Sequence, residues 1–160
     1  DVEETGKDFE ENAILKAKNA FIKTNISSVG DDSGLIVPAI NNEPGLYSAR
    51  YAGLNATDSD NRNKLISKLK DNKLESTYAY FFCCIVAVGI KGQNEIIVCS
   101  GKVEGEVRTI ERGEKGFGYD PMFYPKGYSE SFAELNSLEK NKISHRGQAL
   151  KKLIDKLNKT

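Results

Sequence analysis

The chain has 160 residues, of which 39% are hydrophobic and 29% are charged, and its 23 basic residues balance 23 acidic ones. This composition is typical of a soluble globular protein, and the length predicts one domain over residues 1–160 with a hydrophobic core. The zero net charge argues against a surface that binds nucleic acid over its whole extent, and no stretch is apolar enough to span a membrane.

The first predicted element is a helix over residues 8–24, with Asp8 as its N-terminal cap and Asn25 at its end. It is predicted by apolar side chains that recur at helical spacing, namely Phe9, Ala13, Ala17, Ala20 and Phe21. Lys16 borders this stripe. Two interpretations are open: its stem covers apolar surface while the ammonium stays in water, or the ammonium reaches into a pocket to meet phosphate oxygens.

Two adjacent carboxylates, Asp31 and Asp32, follow this helix. Residues 26–40 are predicted to form two short strands around a turn at residues 30–34, the second ending near Pro38. Because side chains alternate along a strand, the two aspartates should point in opposite directions. Such a pair is typical of a site that holds a hard cation or deprotonates a water. The same residues are also typical of a surface turn.

The middle of the chain predicts a helix and a sheet. The helix runs from residue 57 or 58 to about residue 69. Residues 78–90 form the strongest strand, and because both of its alternating faces are apolar, it should be a central strand covered on both sides. A hairpin turn at residues 91–94 leads to strands at residues 95–99 and 102–110.

The last predicted element is an amphipathic C-terminal helix. Its inward side chains are predicted to be Leu150, Leu153, Ile154 and Leu157. Together these elements predict the α/β class, with a mixed central sheet flanked by helices. The three cysteines, Cys83, Cys84 and Cys99, lie in apolar runs and are interpreted as packing thiols of a protein in the reducing cytoplasm.

A glycine-rich loop at residues 113–121 carries two aromatic residues and an acid. Its glycines allow the backbone to approach a ligand closely. Phe117 and Tyr119 offer ring faces on which a base can stack, and Asp120 can accept a hydrogen bond from a ring N–H group. The loop therefore indicates a nucleobase site.

A second motif, Ser144 to Gly147, precedes the C-terminal helix and contains the only histidine of the chain. His145 can bond a base edge, and Arg146 can bind a carbonyl or a phosphate. The same residues also fit a capping serine followed by two surface residues.

These motifs together resemble the inosine/xanthosine triphosphate pyrophosphatases, the Ham1-like family that acts on non-canonical purine nucleotides. The resemblance extends over nearly the whole chain and rests on residues Glu3–Gly6, Phe9–Lys16, Asp31–Leu35, Pro44–Tyr51, Gly116–Pro121 and Ser144–Leu150. It implies an ITPase/Maf-like fold with two lobes around a substrate cleft. It further implies a Mg²⁺-dependent homodimer that hydrolyses ITP, dITP and XTP to the monophosphate and pyrophosphate and so cleanses the nucleotide pool.

The resemblance also implies roles for individual residues. Asp32 is expected to be the general base near the metal, with Asp31 beside it, and Lys16 is expected to face the phosphates. A glutamate of the pair Glu3 and Glu4 is expected to bind the metal, with Glu3 favoured.

Further residues are expected to contact the substrate or a second subunit. The expected substrate contacts are Ser33, Phe117, Gly118, Tyr119, Asp120, Lys140, His145 and Arg146. Residues 47–51 are expected near the dimer interface.

The start of the chain departs from the family pattern. Members open with a strand and a Ser/Thr-Gly-Asn-x-x-Lys loop that grips the triphosphate, whereas this sequence starts at Asp1 without them. The expectation is that an N-terminal segment is missing. The leading hypothesis is therefore a nucleotide pyrophosphohydrolase, and the alternative is a nucleotide-binding module without turnover.

Overall fold

The computed structural model describes residues 2–90 and 95–159. Its helices are α1 (Phe9–Thr24), α2 (Asp58–Asp71), α3 (Ser137–Ile143) and α4 (His145–Asn158). Its strands are β1 (Ser28–Val37), β2 (Glu43–Pro44), β3 (Ser76–Val88), β4 (Ile96–Arg108) and β5 (Phe123–Pro125). The predicted hairpin turn at residues 91–94 lies outside the described residues. No helix in the described part of the chain combines the length and apolarity needed to cross a membrane.

The strands form one five-stranded sheet in the order β2-β1-β3-β4-β5. The apolar strand β3 is therefore central, as its sequence predicts. The two outer pairs are antiparallel, with Ile36 opposite Pro44 and Glu106 opposite Tyr124. The predicted α/β class with helices flanking a sheet is confirmed.

The chain divides into two compact units. The first comprises Asp1–Ser33, Phe82–Lys102 and Ser144–Thr160, and the second comprises Gly34–Phe81 and Val103–Ile143. Each unit is described by itself.

In the first unit, alternate side chains of β3 meet different helices. One cluster joins β3 to α1 through Cys84, Val86, Val88, Ala13 and Ala17. Another cluster joins β3 and β4 to α4 through Cys83, Ile85, Ala87, Ile97, Cys99, Ala149 and Leu153. The predicted burial of both faces of β3 is confirmed here, and the apolar alternation explains it, since each face needs its own helix.

In the second unit, α2 packs its apolar side chains into one large core. Thr57 caps this helix by accepting a hydrogen bond from the Asp60 amide, and Asp60 bonds the Thr57 amide in return. Leu65 and Leu69 are fully buried. They lie in a cluster with Leu35, Val37, Phe81, Val107, Tyr119, Phe123 and Phe132, among others.

The prediction of two strands around a turn at residues 30–34 is wrong, because β1 is one continuous strand. Its Gly30 lies against α1: a Cβ at this position would be 2.6 Å from the Ala17 nitrogen and 2.8 Å from the Ala13 carbonyl oxygen. Glycine here permits close packing of helix on strand rather than a turn. The strand ends at Val37, before Pro38, as predicted. The two strands predicted for residues 95–110 are likewise one strand, β4.

The C-terminal helix starts earlier than predicted, and two of its four predicted inward residues are buried or partly buried. Ser144 caps it by accepting a hydrogen bond from the Gly147 amide at 3.1 Å, so His145 and Arg146 belong to its first turn. The predicted inward residues Leu150 and Ile154 are 49% and 47% exposed. The other two predicted inward residues are confirmed: Leu153 is buried together with Ala149, and Leu157 is partly buried against the same cluster.

Two lysines of α4 bond the backbone of the first half of β4. Lys152 Nζ donates to the Ser100 carbonyl at 2.7 Å, and Lys156 Nζ donates to the Val98 carbonyl at 2.8 Å. The short strand β5 pairs only with residues 105–107 of β4. Within the described residues, no strand therefore pairs with the outer edge of this half of β4, and the two ammonium groups bond its carbonyls instead.

Candidate functional site

The carboxylate of Asp32 is buried between β1 and α1, with 7% of the residue exposed. Lys16 Nζ lies 2.9 Å from its Oδ1, and Asn12 Nδ2 donates to its Oδ2 at 3.2 Å. Asn12 and Lys16 are one turn apart on α1, so both reach the same point of the strand. Each carboxylate oxygen therefore has its own donor from one helix.

Lys16 also connects this carboxylate to the N-terminal segment. Its Nζ lies 2.7 Å from Glu4 Oε1 and donates to the Asp31 carbonyl at 3.1 Å. Of the two glutamates expected as metal ligands, the structure brings Glu4 to this point, whereas the favoured Glu3 is exposed. We call Glu4, Asn12, Lys16 and Asp32 the Asp32 cluster.

Asn12 is the member of this cluster that the sequence reasoning missed. It is fully buried, and its Oδ1 accepts a hydrogen bond from the Gly6 amide at 2.8 Å. A Cβ on Gly6 would lie 2.5 Å from that oxygen, so the contact needs glycine. The signal in the sequence is a polar residue one turn before Lys16, next to the apolar Ala13. Asn12 thereby connects the segment that carries Glu4 to Asp32.

The proton affinities of Asp32 and Lys16 follow from burial and pairing. Burial raises the pKa of the Asp32 carboxyl, and the bond from Lys16 offsets only part of this effect. Burial alone would lower the pKa of Lys16, but its bonds to Glu4 and Asp32 outweigh burial and raise it. Lys16 therefore stays an ammonium, while Asp32 is a stronger proton acceptor than an exposed aspartate.

The donor set of the cluster fits Mg²⁺. Within residues 2–90 and 95–159, no group of three or more histidine, cysteine, aspartate or glutamate side chains is placed to hold a metal. Mg²⁺ at nucleotide sites commonly uses one or two carboxylates and takes its other ligands from phosphates and water. Glu4 and Asp32 supply two carboxylates that already share one cation, the ammonium of Lys16.

Asp31 points away from this cluster, as the alternation along β1 predicts. Its Oδ2 accepts from Arg146 Nε at 3.1 Å and from Ser33 Oγ at 3.3 Å. Both Asp31 and Arg146 are partly exposed. His145, in the same helical turn as Arg146, is 7% exposed. The expected substrate contacts of Ser33, His145 and Arg146 stay predictions.

In the second unit, Asp120 organises the loop that carries Phe117. Its Oδ2 accepts from the Phe117 amide at 2.8 Å and from Lys140 Nζ at 2.5 Å. Lys140 Nζ also lies 4.8 Å from the centroid of the Phe117 ring. Gly116 must be glycine, because a Cβ there would lie 2.0 Å from Asp120 Oδ2. The structure thus brings together three of the predicted base-contacting side chains, Phe117, Asp120 and Lys140.

The two predicted stacking rings differ in exposure. Phe117 is 58% exposed, whereas Tyr119 is 4% exposed and belongs to the core of this unit. The Tyr119 hydroxyl donates to the Ser48 carbonyl at 2.8 Å. The Tyr119 ring therefore helps to fill the core, and its expected contact with the substrate stays a prediction. Asp120 is also buried and is already bonded within the loop.

The segment expected near a dimer interface is folded onto α2. Residues 45–50 form a 3₁₀ turn, from which Tyr47 projects into solvent. Tyr51 is buried, and its hydroxyl donates to Glu43 Oε2 at 2.6 Å. Glu43 also pairs with Lys68 at 3.2 Å. The bond from Tyr51 holds the pKa of Glu43 below its usual value. The interface itself stays a prediction.

Comparison with known sequences identifies relatives over nearly the whole chain. The Ham1 family model matches residues 1–156. The dITP/XTP pyrophosphatase of Idiomarina loihiensis is 47% identical over 159 residues, covering 99% of this chain and 79% of the relative. The dITP/XTP pyrophosphatase of Legionella pneumophila (strain Paris) is 48% identical over 153 residues, covering 96% of this chain and 79% of the relative.

Solved structures agree with these sequence matches. A Ham1 protein from Coxiella burnetii superposes with a TM-score of 0.93 at 43% identity, covering all of this chain and 81% of that protein. The Staphylococcus aureus Ham1 protein gives a TM-score of 0.89 at 46% identity, covering 99% of this chain and 80% of that protein. On its sequence, its fold and the match of residues 1–156, the chain belongs to the Ham1 family.

Proposed function

We propose that this chain hydrolyses the triphosphates of oxo purines, ITP, dITP and XTP, to the nucleoside monophosphate and pyrophosphate. Such an activity removes deaminated purines from the nucleotide pool. The names of its relatives, dITP/XTP pyrophosphatases, support the substrate class. The observation that carries the proposal is the Asp32 carboxylate, buried, raised in pKa and held at both oxygens by donors of one helix.

The residues of the Asp32 cluster supply the parts that this hydrolysis requires. Asp32 accepts a proton from a water, whose oxygen attacks the α-phosphorus. The bond from that phosphorus to the bridging oxygen breaks, and pyrophosphate leaves. Lys16 places a positive charge near the phosphoryl oxygens, and Asn12 keeps the Asp32 carboxylate in one orientation.

Glu4 and Asp32 are the residues proposed to hold Mg²⁺. When bound, Mg²⁺ offsets the negative charge that develops on the leaving pyrophosphate.

Selection of the base rests on donors and on one exposed aromatic ring. Phe117 provides the ring for stacking, with the Lys140 ammonium beside it. His145 and Arg146 are proposed to donate to the carbonyl oxygen at position 6 of an oxo purine. An amino group at that position, as in adenine, would leave such donors without acceptors, which disfavours ATP.

Two further statements belong to this proposal. The protein acts as a homodimer, with residues 47–51 near the interface. It acts in the cytoplasm, which suits three buried cysteines that are free thiols rather than disulfides.

Pyrophosphate release tests the proposal. Purified protein should release pyrophosphate from ITP, dITP and XTP in the presence of Mg²⁺, much more slowly from ATP, and EDTA should stop the reaction. Asp32→Asn should lower kcat by about 10²–10⁴-fold while ITP still binds. Asp71→Asn, an exposed position at the end of α2, is the matched control and should behave as the wild type.

Two results would contradict the proposal. Binding of ITP without turnover by the wild-type chain would support the alternative of a nucleotide-binding module. Loss of folding in Asp32→Asn, seen by circular dichroism, would assign that aspartate a structural role instead.

A further inference from the structure

Both hydrogen-bonding groups of the Gly118 backbone are held by side chains of α2. The Gly118 amide donates to Asp58 Oδ2 at 2.7 Å, and Arg62 Nη1 donates to the Gly118 carbonyl at 2.9 Å. Asp58 and Arg62 are four residues apart, on one face of the first turns of the helix. Arg62 is itself fixed by an ion pair with Glu111. We call Asp58 and Arg62 the α2 clamp.

The clamp holds a backbone conformation that does not form by default. Gly118 has a φ of +58°, in the left-handed region. Nothing lies within 4 Å of a Cβ added at this position, so space does not explain the glycine. The backbone conformation explains the glycine, since the left-handed region favours this residue. Glycine is also the most flexible residue, and therefore external bonds are needed to keep it in one state.

The other anchors of the same segment leave one side chain exposed. Tyr119 is bonded to the Ser48 carbonyl, and Asp120 is bonded to Lys140 and to the Phe117 amide. Of residues 117–120, Phe117 alone is exposed. These bonds hold residues 117–120 in place, and the one exposed ring, that of Phe117, immediately precedes the clamped glycine.

We propose that Asp58 and Arg62 are positioning residues that hold the Phe117 ring ready to stack on the purine. This inference rests on the proposed function, because it assigns α2 a role in binding the base of that substrate. The clamp acts through Gly118 and touches neither the base nor the reacting phosphates. Its loss should weaken binding of the base and leave the chemical step unchanged.

Steady-state kinetics with ITP separate these two effects. Asp58→Ala should raise KM about tenfold with kcat within about twofold of the wild type, because stacking stabilises the bound base. Asp58→Asn keeps an oxygen acceptor for the Gly118 amide and should restore most of the affinity. Asp71→Ala is the control, since Asp71 is exposed at the opposite end of the same helix. Arg62→Ala should follow Asp58→Ala, with Lys70→Ala as its control.

A double-mutant cycle distinguishes positioning from general stability. If the clamp acts through the ring, Asp58→Ala should have almost no effect on KM in a Phe117→Ala background. A tenfold effect in both backgrounds would refute the proposal. So would an equal fall in kcat and kcat/KM, because that pattern places the loss in the transition state alone.

Amide hydrogen exchange tests the clamp without depending on activity. In Asp58→Ala the Gly118 amide loses its acceptor, and its exchange should accelerate at least about tenfold. Unchanged exchange would overturn the clamp even if ITP is hydrolysed as proposed. Faster exchange in a chain that neither binds nor hydrolyses ITP would refute the proposed function, and with it the role of Phe117, but not the clamp itself.

Discussion

Replacement of Asn12 by alanine is the sharpest test of the Asp32 cluster. The substitution removes one hydrogen bond to the Asp32 carboxylate, at 3.2 Å, and one to the Gly6 amide, at 2.8 Å. A bond to a charged group contributes about 1.5–3 kcal/mol and a neutral one about 0.5–1.5 kcal/mol. Since the bond to Asp32 is long, we take the lower end of each range. We expect Asn12→Ala to lower the free energy of unfolding by about 2 kcal/mol.

The catalytic effect of the same change should be larger than its effect on stability suggests. Without Asn12, one oxygen of Asp32 has no orienting donor from α1, and the segment that carries Glu4 loses its link to the helix. Misplacement of a catalytic group by a fraction of a bond length to about 1 Å costs up to about 100-fold in rate. We therefore expect kcat for ITP to fall between about tenfold and 100-fold.

Urea unfolding and pyrophosphate release provide the two measurements. Asn19→Ala is the control, because Asn19 is a half-buried asparagine of the same helix that lies outside the Asp32 cluster. If Asn12→Ala is destabilised by about 2 kcal/mol while kcat stays at the wild-type value, the orienting role of Asn12 is refuted. If neither the free energy of unfolding nor kcat changes, the two hydrogen bonds of Asn12 contribute to neither stability nor catalysis.

Two further predictions follow from the charged pairs. Lys16→Met removes the ammonium that lowers the pKa of buried Asp32, so the pKa of Asp32 should rise further. The acid limb of the pH profile of kcat/KM should then move to higher pH. If that limb does not move, Asp32 is not the titrating base. Tyr51→Phe should lower the free energy of unfolding by about 1 kcal/mol at pH 7, because Tyr51 stabilises ionised Glu43. The pKa of Glu43 is lower in the folded protein than its unperturbed value of 4.5. The difference in free energy of unfolding between the wild type and Tyr51→Phe should therefore be complete above pH 4.5 and should shrink in acid. Urea titrations that give the same difference at pH 7 and pH 3 would show that the reasoning is wrong.

Those parts of the fold that depend on regular periodicity could be predicted from the sequence. The bounds of α1 follow from its caps at Asp8 and Asn25 and from its apolar stripe. The central place of β3 follows from two apolar faces, each of which needs its own helix. The same periodicity singles out Lys16 at the edge of the stripe, since its position on the helix sets its direction.

Features that depend on close approach between distant segments could not be predicted. Gly30 is typical of a turn by itself, and only the backbone of α1 explains it, because the Ala17 nitrogen lies 2.6 Å from the point that a Cβ would occupy. The burial of Tyr119 is likewise evident only from the core that surrounds it. Asp58 and Arg62 look like ordinary polar residues of a solvated helix face, because their partner, Gly118, lies about sixty residues later.

The lysine bonds along the edge of β4 have a consequence for self-association. An open strand edge is a template on which another strand can add, and repeated addition leads to fibres. Here an incoming strand would have to displace Lys152 from Ser100 and Lys156 from Val98, and it would bring its own backbone against two positive charges. The C-terminal helix thus protects the edge of the sheet. We therefore expect this edge to resist strand-to-strand growth when the protein is concentrated.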